Sequence, residues 1–129
     1  MVKVICGIIE KNGLVLITQR SHKMMHPLLW EFPGGKLEPG ETEQECLVRE
    51  ISEELGISIK PNLRLQPATY TYPDKTIQLI PYTCAFISGS IHLLEHASHK
   101  WIKPNELEAH NWCPADIPII EHYLHLLSS

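Results

Sequence analysis

The sequence has no excess of basic residues. Eleven Lys and Arg stand against fifteen Asp and Glu, which gives a formal net charge of −4 over 129 residues. Proteins that bind duplex nucleic acid need a basic surface that neutralises phosphates. We therefore expect no direct binding of duplex nucleic acid, and we expect a phosphorylated ligand to be held through a cation rather than through a broad lysine surface.

Long apolar runs and paired cysteines are also missing. No window approaches the roughly 18 apolar residues that a membrane-spanning helix needs, and the N-terminus has no basic segment before a long apolar run. Cys6, Cys46, Cys84 and Cys113 form no C-x-x-C pair, so reduced intracellular thiols are expected rather than a disulfide scaffold. These absences predict a cytoplasmic protein without a membrane partner. A monomer is expected as well, although no sequence feature fixes the oligomeric state.

Several catalytic signatures are absent as well. There is no phosphate-cradling G-x4-G-K-[ST] loop, no nucleophile elbow with a Ser–His–Asp set, and no internal repeat or linker. Apolar residues make up 43% and charged residues 20% of the chain, which is ordinary for a globular protein. The length predicts one domain over residues 1–129.

Local patterns predict a mixed α/β fold. β-Branched runs, and turn residues such as Asn12-Gly13 and Pro73-Asp74, predict five strands. The predicted strands cover residues 2–10, 14–18, 63–72, 76–87 and 98–103. Pro81 indicates an edge position or a bulge in the fourth of them. Residues 21–28 are predicted to form a loop, and Gly34-Gly35 a turn.

Two main helices are predicted. In the first, over residues 42–55, Thr42 and Glu45 form a T-x-x-E capping box, and Gly56 marks the C-terminal end. Its expected buried stripe consists of Val48, Ile51 and Leu55. A short helix at 104–109 and a closing helix at 115–127 follow. The inward residues expected in the closing helix are Ile119, Ile120, Tyr123, Leu124 and Leu127.

Glu50, Glu53 and Glu54 share a polar face of the first helix. Like charges three or four residues apart destabilise a helix by about 0.2–0.5 kcal/mol per pair, and the last turn disfavours negative charge. Arg49 can offset part of this by reaching Glu53 or Glu45, but it cannot neutralise three carboxylates. The cluster is either a solvated charged face or a set of hard oxygen ligands for Mg²⁺ or Mn²⁺. The two turns that precede the helix favour the metal.

This segment resembles the Nudix box, G-x5-E-x7-R-E-U-x-E-E-x-G-U, in which U is a bulky aliphatic residue. Every specified position is matched, by Gly35, Glu41, Arg49, Glu50, Ile51, Glu53, Glu54, Gly56 and Ile57. The resemblance implies an α/β/α sandwich with a mixed β-sheet between helices. It also implies hydrolysis of a nucleoside diphosphate linked to another group, with Mg²⁺, or Mn²⁺ as a substitute.

The same resemblance assigns roles to residues of the box. It implies that the metal ligands are Glu50, Glu53, Glu54 and the backbone carbonyl of Gly34. Arg49 would orient the carboxylates, and Glu41 would brace the loop that leads into the helix. Cys46 lies inside the box helix, and we interpret it as a packed residue rather than a nucleophile.

Beyond the box, the chain is similar to the MutT type of the family, which hydrolyses oxidised purine nucleoside triphosphates such as 8-oxo-dGTP. The matching stretches are LWEFPGGKLEPGET, TYTYPDKTIQL and NWCPADIPII. This likeness implies attack of water on the β-phosphorus, releasing a nucleoside monophosphate and pyrophosphate. Glu95, six residues before Trp101, is then a candidate metal ligand or general base, and Glu53 is the alternative base.

For the nucleotide, the resemblance points to Arg20, to the stretch Glu31, Phe32, Pro33 and Gly34, and to Asp116. Phe32 is either a wall for the base or a plain core residue. Lys36 and Lys75 are candidate phosphate contacts, with solvated surface lysines as the alternative.

Asp116 departs from the best-known MutT pattern, which has asparagine there. Met25 also departs from it, standing where that pattern has histidine. An ionised carboxylate only accepts hydrogen bonds, which suits the N1–H and amino edge of guanine and equally the amino group of cytosine. A cytidine nucleotide pyrophosphohydrolase of the same family resembles the chain at PADIP. CTP or 5-hydroxy-dCTP is therefore the alternative substrate.

Two further alternatives concern the class of protein and the histidines. A catalytically inactive Nudix-like binding module is the alternative to an enzyme, but such modules tend to lose box carboxylates, and here all are present. His92, His96 and His99 surround Glu95 and could suit Zn²⁺ on a helix. Because they fall in a strand–loop region, we interpret them as solvated.

Overall fold

The computed structural model describes residues 1–128 and contains a mixed sheet between helices. Its strands are β1 Val2–Lys11, β2 Leu14–Gln19, β3 Trp30–Glu31, β4 Gly34–Lys36, β5 Ser58–Arg64, β6 Ala68–Thr71, β7 Thr76–Ser88 and β8 Ser98–Ile102. Its helices are α1 Glu43–Leu55 and α2 Ile117–Leu127, with short 3₁₀ helices at Pro104–Ala109 and Pro114–Asp116. Within residues 1–128, no helix has the length and apolarity to cross a membrane.

β1 and β7 form the centre of the sheet. They pair in parallel from Val2–Ile77 to Glu10–Ala85, whereas the other strand pairings are antiparallel. The main strand order is β3-β2-β1-β7-β5, with β4 paired to β1, β6 to β7 and β8 to β2. Asn12 and Gly13 have φ values of 52° and 78°, as a type I′ turn requires, so the predicted β1–β2 hairpin is confirmed.

The two faces of the sheet carry separate cores. Because side chains alternate along a strand, Ile5 and Ile9 of β1 face α1, where they pack with Leu47 and Ile51. On the opposite face, β1 and β2 pack against α2. The core residues there include Cys6, Ile8, Val15, Ile17, Ile119, Ile120 and Tyr123. This arrangement confirms the expected α/β/α sandwich.

α1 begins and ends as its sequence predicts. Thr42 and Glu45 make both bonds of the capping box, and Gly56 adopts the left-handed conformation at φ 72°. Its buried face differs from the prediction, since Val48 is 37% exposed. The residues that α1 buries are Cys46, Leu47, Ile51 and Leu55. The helix is therefore rotated so that Leu47, not Val48, continues the i, i+4 row through Ile51.

Three other predictions are corrected. Residues 63–72 do not form one strand, because the chain leaves β7 after Arg64 and pairs with it again from Ala68. Gly34-Gly35 is not a turn but part of β4, paired with β1. In α2, Leu127 is 51% exposed instead of inward, because it lies in the last turn, beyond the edge of the sheet core.

Pro81 lies in the central strand β7 and not at a sheet edge. Its carbonyl accepts a hydrogen bond from the backbone N–H of Leu65 at 2.9 Å. The proline nitrogen faces that same side, where β6 has ended and the pairing with β5 shifts register between Pro61 and Arg64. The missing N–H therefore falls at a break in the ladder, and the predicted irregularity is present.

Candidate active site

A cavity of about 280 Å³ lies between the C-terminal end of α1, strand β4 and the start of α2. Most of the predicted site residues line it: Arg20, Glu31, Phe32, Gly34, Lys36, Glu54, Lys75, Glu95 and Asp116. Pro33 is buried, with its carbonyl accepting from the N–H of Gly7 at 2.9 Å, and does not line the cavity. Arg49, Glu50 and Glu53 lie beside it on α1.

Arg49 is the centre of an ion-pair network on α1. Its Nε and Nη2 donate to the two carboxylate oxygens of Glu41 at 3.0 and 2.8 Å. Its Nη1 donates to Glu50 at 3.0 Å and to Glu53 at 3.3 Å. The alternative partner Glu45 instead accepts from the backbone N–H of Thr42 in the capping box. Arg49 thus holds two of the three clustered carboxylates.

Glu41 ties this network to the loop before α1. It also accepts from the backbone N–H of Glu38 at 2.9 Å. The hydrogen bonds from Arg49, and then the one from Glu38, lower the pKa of Glu41 to about 2. The same hydrogen bonds, which Arg49 donates to Glu41, raise the pKa of Arg49. These contacts are those that the bracing role of Glu41 requires.

Glu50 and Glu54 are held in an environment that penalises negative charge. Burial raises the pKa of Glu50, although Arg49 opposes the rise. Burial also raises the pKa of Glu54, with Glu95 and Glu50 adding repulsion and His96 opposing it. A cation placed between these carboxylates would relieve both the repulsion and the desolvation.

Gly35 allows Glu50 to lie against the backbone of β4. A Cβ atom at this position would stand 2.1 Å from Cδ of Glu50 and 2.3 Å from its Oε2. The glycine is therefore required by close approach and not by its backbone conformation. This close approach places the Glu50 carboxylate beside Gly35, next in sequence to the predicted carbonyl ligand Gly34.

The donor set has the chemistry that a hard divalent cation prefers, namely carboxylate and carbonyl oxygens. Within residues 1–128, no three His, Cys, Asp or Glu side chains are already arranged to hold a metal ion. Arg49 explains part of this, since it draws Glu50 and Glu53 toward itself. The ligand set of Gly34, Glu50, Glu53, Glu54 and Glu95 fits in kind and stays a prediction.

The loop of residues 89–97 carries Glu95 and His96 to the cavity. Three backbone hydrogen bonds, of 2.9, 3.2 and 2.9 Å, fix it to the end of α1 and to β2. They join His92 to Leu55, Leu94 to Glu54 and Ala97 to Gln19. Glu95 is exposed, whereas His96 is only 8% exposed. The interpretation of His96 as a solvated histidine is therefore wrong, because this docking buries it.

The end of the cavity away from the α1 carboxylates is more apolar. Phe32 is 3% exposed, belongs to the core beside Trp112 and also lines the cavity, so its role as a wall for the base stays a prediction. Asp116 is 4% exposed and accepts from the backbone N–H of Phe32 at 3.0 Å. Burial raises the pKa of Asp116 well above its ordinary range, and nearby Glu31 adds to the rise.

Several lining residues escaped the sequence analysis. The rings of His26 and Tyr72 lie 4.7 Å apart and form part of the cavity wall with Met24. His26 and Leu28 have positive φ values of 54° and 64°, which are uncommon for residues other than glycine. The only local signal was the composition of the 21–28 loop, and it does not reveal which side chains turn inward.

Comparison with known proteins agrees with this fold. Residues 1–123 match the NUDIX domain family. The chain is 34% identical over 126 residues to the CTP pyrophosphohydrolase of Escherichia coli K12, covering 98% of this chain and 93% of that protein. It is 33% identical over 115 residues to the 8-oxo-dGTP diphosphatase of the same strain, covering 88% and 89%.

A solved structure supports the same conclusion. The solution structure of the E. coli ORF135 protein superposes with a TM-score of 0.88 at 34% identity, covering 98% of this chain and 91% of that one. The chain belongs to the Nudix hydrolases and is of the MutT-like kind. It is accordingly an enzyme that acts on acid anhydrides.

Proposed function

We propose that the protein is a Mg²⁺-dependent nucleoside triphosphate pyrophosphohydrolase that prefers 8-oxo-dGTP and so cleanses the nucleotide pool. The supporting observation is a single cavity that joins the carboxylate end of α1 to an apolar end closed by Phe32 and Asp116. A nucleotide has the same two-ended character, with a charged polyphosphate and a flat base. The reaction would yield a nucleoside monophosphate and pyrophosphate.

Glu50, Glu53, Glu54 and the Gly34 carbonyl would hold the ion, with Glu95 as a further ligand only if it is not the base. When bound, Mg²⁺ would supply positive charge to the polyphosphate and activate water. We assign the general base to Glu95, because it is exposed and lines the cavity. Glu53, the alternative, does not line the cavity and is paired with Arg49 at 3.3 Å. Lys36 and Lys75, at the rim, would contact phosphate oxygens.

Asp116 would recognise the edge of the base. One of its oxygens is occupied by the N–H of Phe32, which leaves the other for a ligand. The raised pKa favours the neutral carboxyl group, which both donates and accepts. A neutral Asp116 therefore resembles the asparagine of the MutT pattern more than an ionised one does. As a carbonyl, the remaining oxygen could accept from N1–H of 8-oxoguanine, and as a hydroxyl it could donate to O6.

A second candidate is CTP or 5-hydroxy-dCTP. As a carbonyl, the same oxygen could accept from the amino group of cytosine, and as a hydroxyl it could donate to N3, so Asp116 alone does not choose between the bases. The relative named CTP pyrophosphohydrolase matches 98% of the chain, more than the 88% matched by the E. coli 8-oxo-dGTP diphosphatase. This coverage keeps the pyrimidine substrate as a specific competitor.

Pyrophosphate release from a nucleotide panel tests the proposal. The panel would contain 8-oxo-dGTP, dGTP, CTP, dCTP and 5-hydroxy-dCTP, each with Mg²⁺ and with chelator, and the comparison would be kcat/KM. The proposal predicts the highest value for 8-oxo-dGTP. A higher value for a cytidine nucleotide would support the second candidate, and no release from any of them would contradict both.

A further inference from the structure

His96 is buried at the middle of the cavity, between its two ends. Its Nε2 lies 2.8 Å from Oε2 of Glu31, on the nucleotide side. The other oxygen of Glu31 accepts from Nη1 of Arg20, also at 2.8 Å. An ionised carboxylate offers acceptors only, so Nε2 of His96 is the donor in this hydrogen bond. Glu31 is thus held by one donor on each oxygen.

The second ring nitrogen of His96 has no hydrogen-bond partner. Nδ1 lies 3.7 Å from Oε2 of Glu54, which is too long for a hydrogen bond. It is the sole buried side-chain nitrogen or oxygen of residues 1–128 left without one. Burying an unsatisfied nitrogen is costly, and packing alone does not repay that cost.

We propose that His96 is a positioning residue that acts through Glu31. With Arg20, it fixes the Glu31 carboxylate toward the nucleotide and keeps it apart from Glu54 on the metal side. The 89–97 loop supplies the rigidity, because its backbone is bonded to both α1 and β2. This inference rests on the proposed function, since it concerns how the same cavity keeps its nucleotide end and its carboxylate end distinct.

Two amide substitutions of His96 separate positioning from packing. In His96→Gln, the amide nitrogen can reach the place of Nε2, whereas in His96→Asn it stands near the place of Nδ1. We expect His96→Asn to raise KM for the best nucleotide of the panel about tenfold, with kcat changed less than threefold. His96→Gln should restore KM to within about threefold of the unaltered enzyme. Equal defects in both variants would indicate a packing role and overturn the inference.

A double substitution tests whether the effect passes through Glu31. If it does, adding His96→Asn to Glu31→Gln should raise KM no further than Glu31→Gln alone. If the KM increases of the two single variants multiplied in the double variant, the inference would be contradicted. His92→Asn is the matched control, because His92 lies in the same loop and is exposed. It should leave KM and kcat unchanged.

The Nε2 proton of His96 provides a readout that needs no turnover. Long-range ¹H–¹⁵N spectra of the free protein should show one imidazole, lost in His96→Gln, with a proton on Nε2. An imidazole without a proton on Nε2, or one averaged by solvent, would overturn the inference. Failure of the proposed function is distinguishable, because it appears as no pyrophosphate release by the unaltered enzyme.

Discussion

Alanine substitutions at Gly34 and Gly35 should separate an effect on the stability of the protein from an effect on its activity. An alanine Cβ at position 34 would stand 1.8 Å from the carbonyl oxygen of Ile5 and 2.8 Å from Cα of Cys6. Both atoms belong to the backbone of β1, so they cannot move without breaking the β1–β4 pairing. At position 35, the clash is with the side chain of Glu50, which can rotate away.

For Gly34→Ala, the cost is one of stability. Overpacking costs about 1–3 kcal/mol where side chains can adjust, and a backbone clash belongs at or above the top of that range. A loss of about 3 kcal/mol should lower the Tm of a chain of this length by about 10 °C.

For Gly35→Ala, the cost is one of activity. Ordinary carbon contacts are about 3.5–4.0 Å, so the 2.1 Å approach would push the Glu50 carboxylate away by about 1.5 Å. Metal–ligand distances tolerate about 0.2 Å, and a misplacement of about 1 Å can cost about 100-fold in rate. We expect kcat/KM to fall about 100-fold, with unfolding free energy within about 1 kcal/mol of the unaltered protein.

Thermal melts and pyrophosphate release on both variants check this pair. Gly7→Ala is the control, because its Cβ would meet its nearest atoms, Cys84 Sγ and Ile9 Cγ1, at an acceptable 3.4 Å. It should change neither quantity strongly. If Gly35→Ala kept full activity, the position of Glu50 would be irrelevant to catalysis. An unchanged Tm in Gly34→Ala would contradict the close approach of β1 to β4.

Four further predictions concern carboxylates. Glu53→Gln should lower kcat more than about 100-fold and raise the Mg²⁺ concentration for half-maximal rate, with the fold intact because its side chain is 59% exposed. If Glu95 is the base, Glu95→Gln should lower kcat and leave the Mg²⁺ concentration for half-maximal rate unchanged. Turnover near that of the unaltered enzyme in either variant would contradict the role assigned to the substituted glutamate. Because the pKa of Glu41 is lowered to about 2, its contribution to stability is complete above about pH 4.5 and is lost as the pH falls toward 2. In urea melts, the unfolding free energy of Glu41→Gln should therefore fall less than that of the unaltered protein over this pH range. Because the pKa of Asp116 is raised, the native state keeps a proton that the unfolded chain releases above about pH 4, so stability falls as the pH rises. Asp116→Asn should therefore gain stability over the unaltered protein between pH 4 and 7 and shift base preference, and an equal slowing of every nucleotide would assign Asp116 a supporting role only.

The features that were predictable from the sequence are those encoded within one turn or one helix. The capping box of Thr42 and Glu45, the left-handed Gly56 and the Asn12-Gly13 turn all depend on residues a few positions apart. The buried face of α1 was not fixed in this way, since rows through Val48 or through Leu47 both continue to Ile51 and Leu55. Only the position of the sheet decides between them.

The missed features depend on contacts distant in sequence. His96 is buried because its loop bonds to the end of α1 and to β2, and no local pattern reports that docking. Gly34 and Gly35 read as turn residues, yet they serve close approaches to β1 and to Glu50. The i, i+4 spacing predicted the Arg49–Glu53 ion pair, whereas the bidentate pair of Arg49 with Glu41 depends on the loop before α1.

The most direct test of the account is to identify the products formed in ¹⁸O-labelled water with and without Mg²⁺. Using 8-oxo-dGTP and ³¹P NMR, the account predicts the monophosphate and pyrophosphate, with the label in pyrophosphate because water attacks the β-phosphorus. Chelation of Mg²⁺ should abolish both products. Formation of a nucleoside diphosphate and phosphate, or hydrolysis that continues unchanged in chelator, would contradict it.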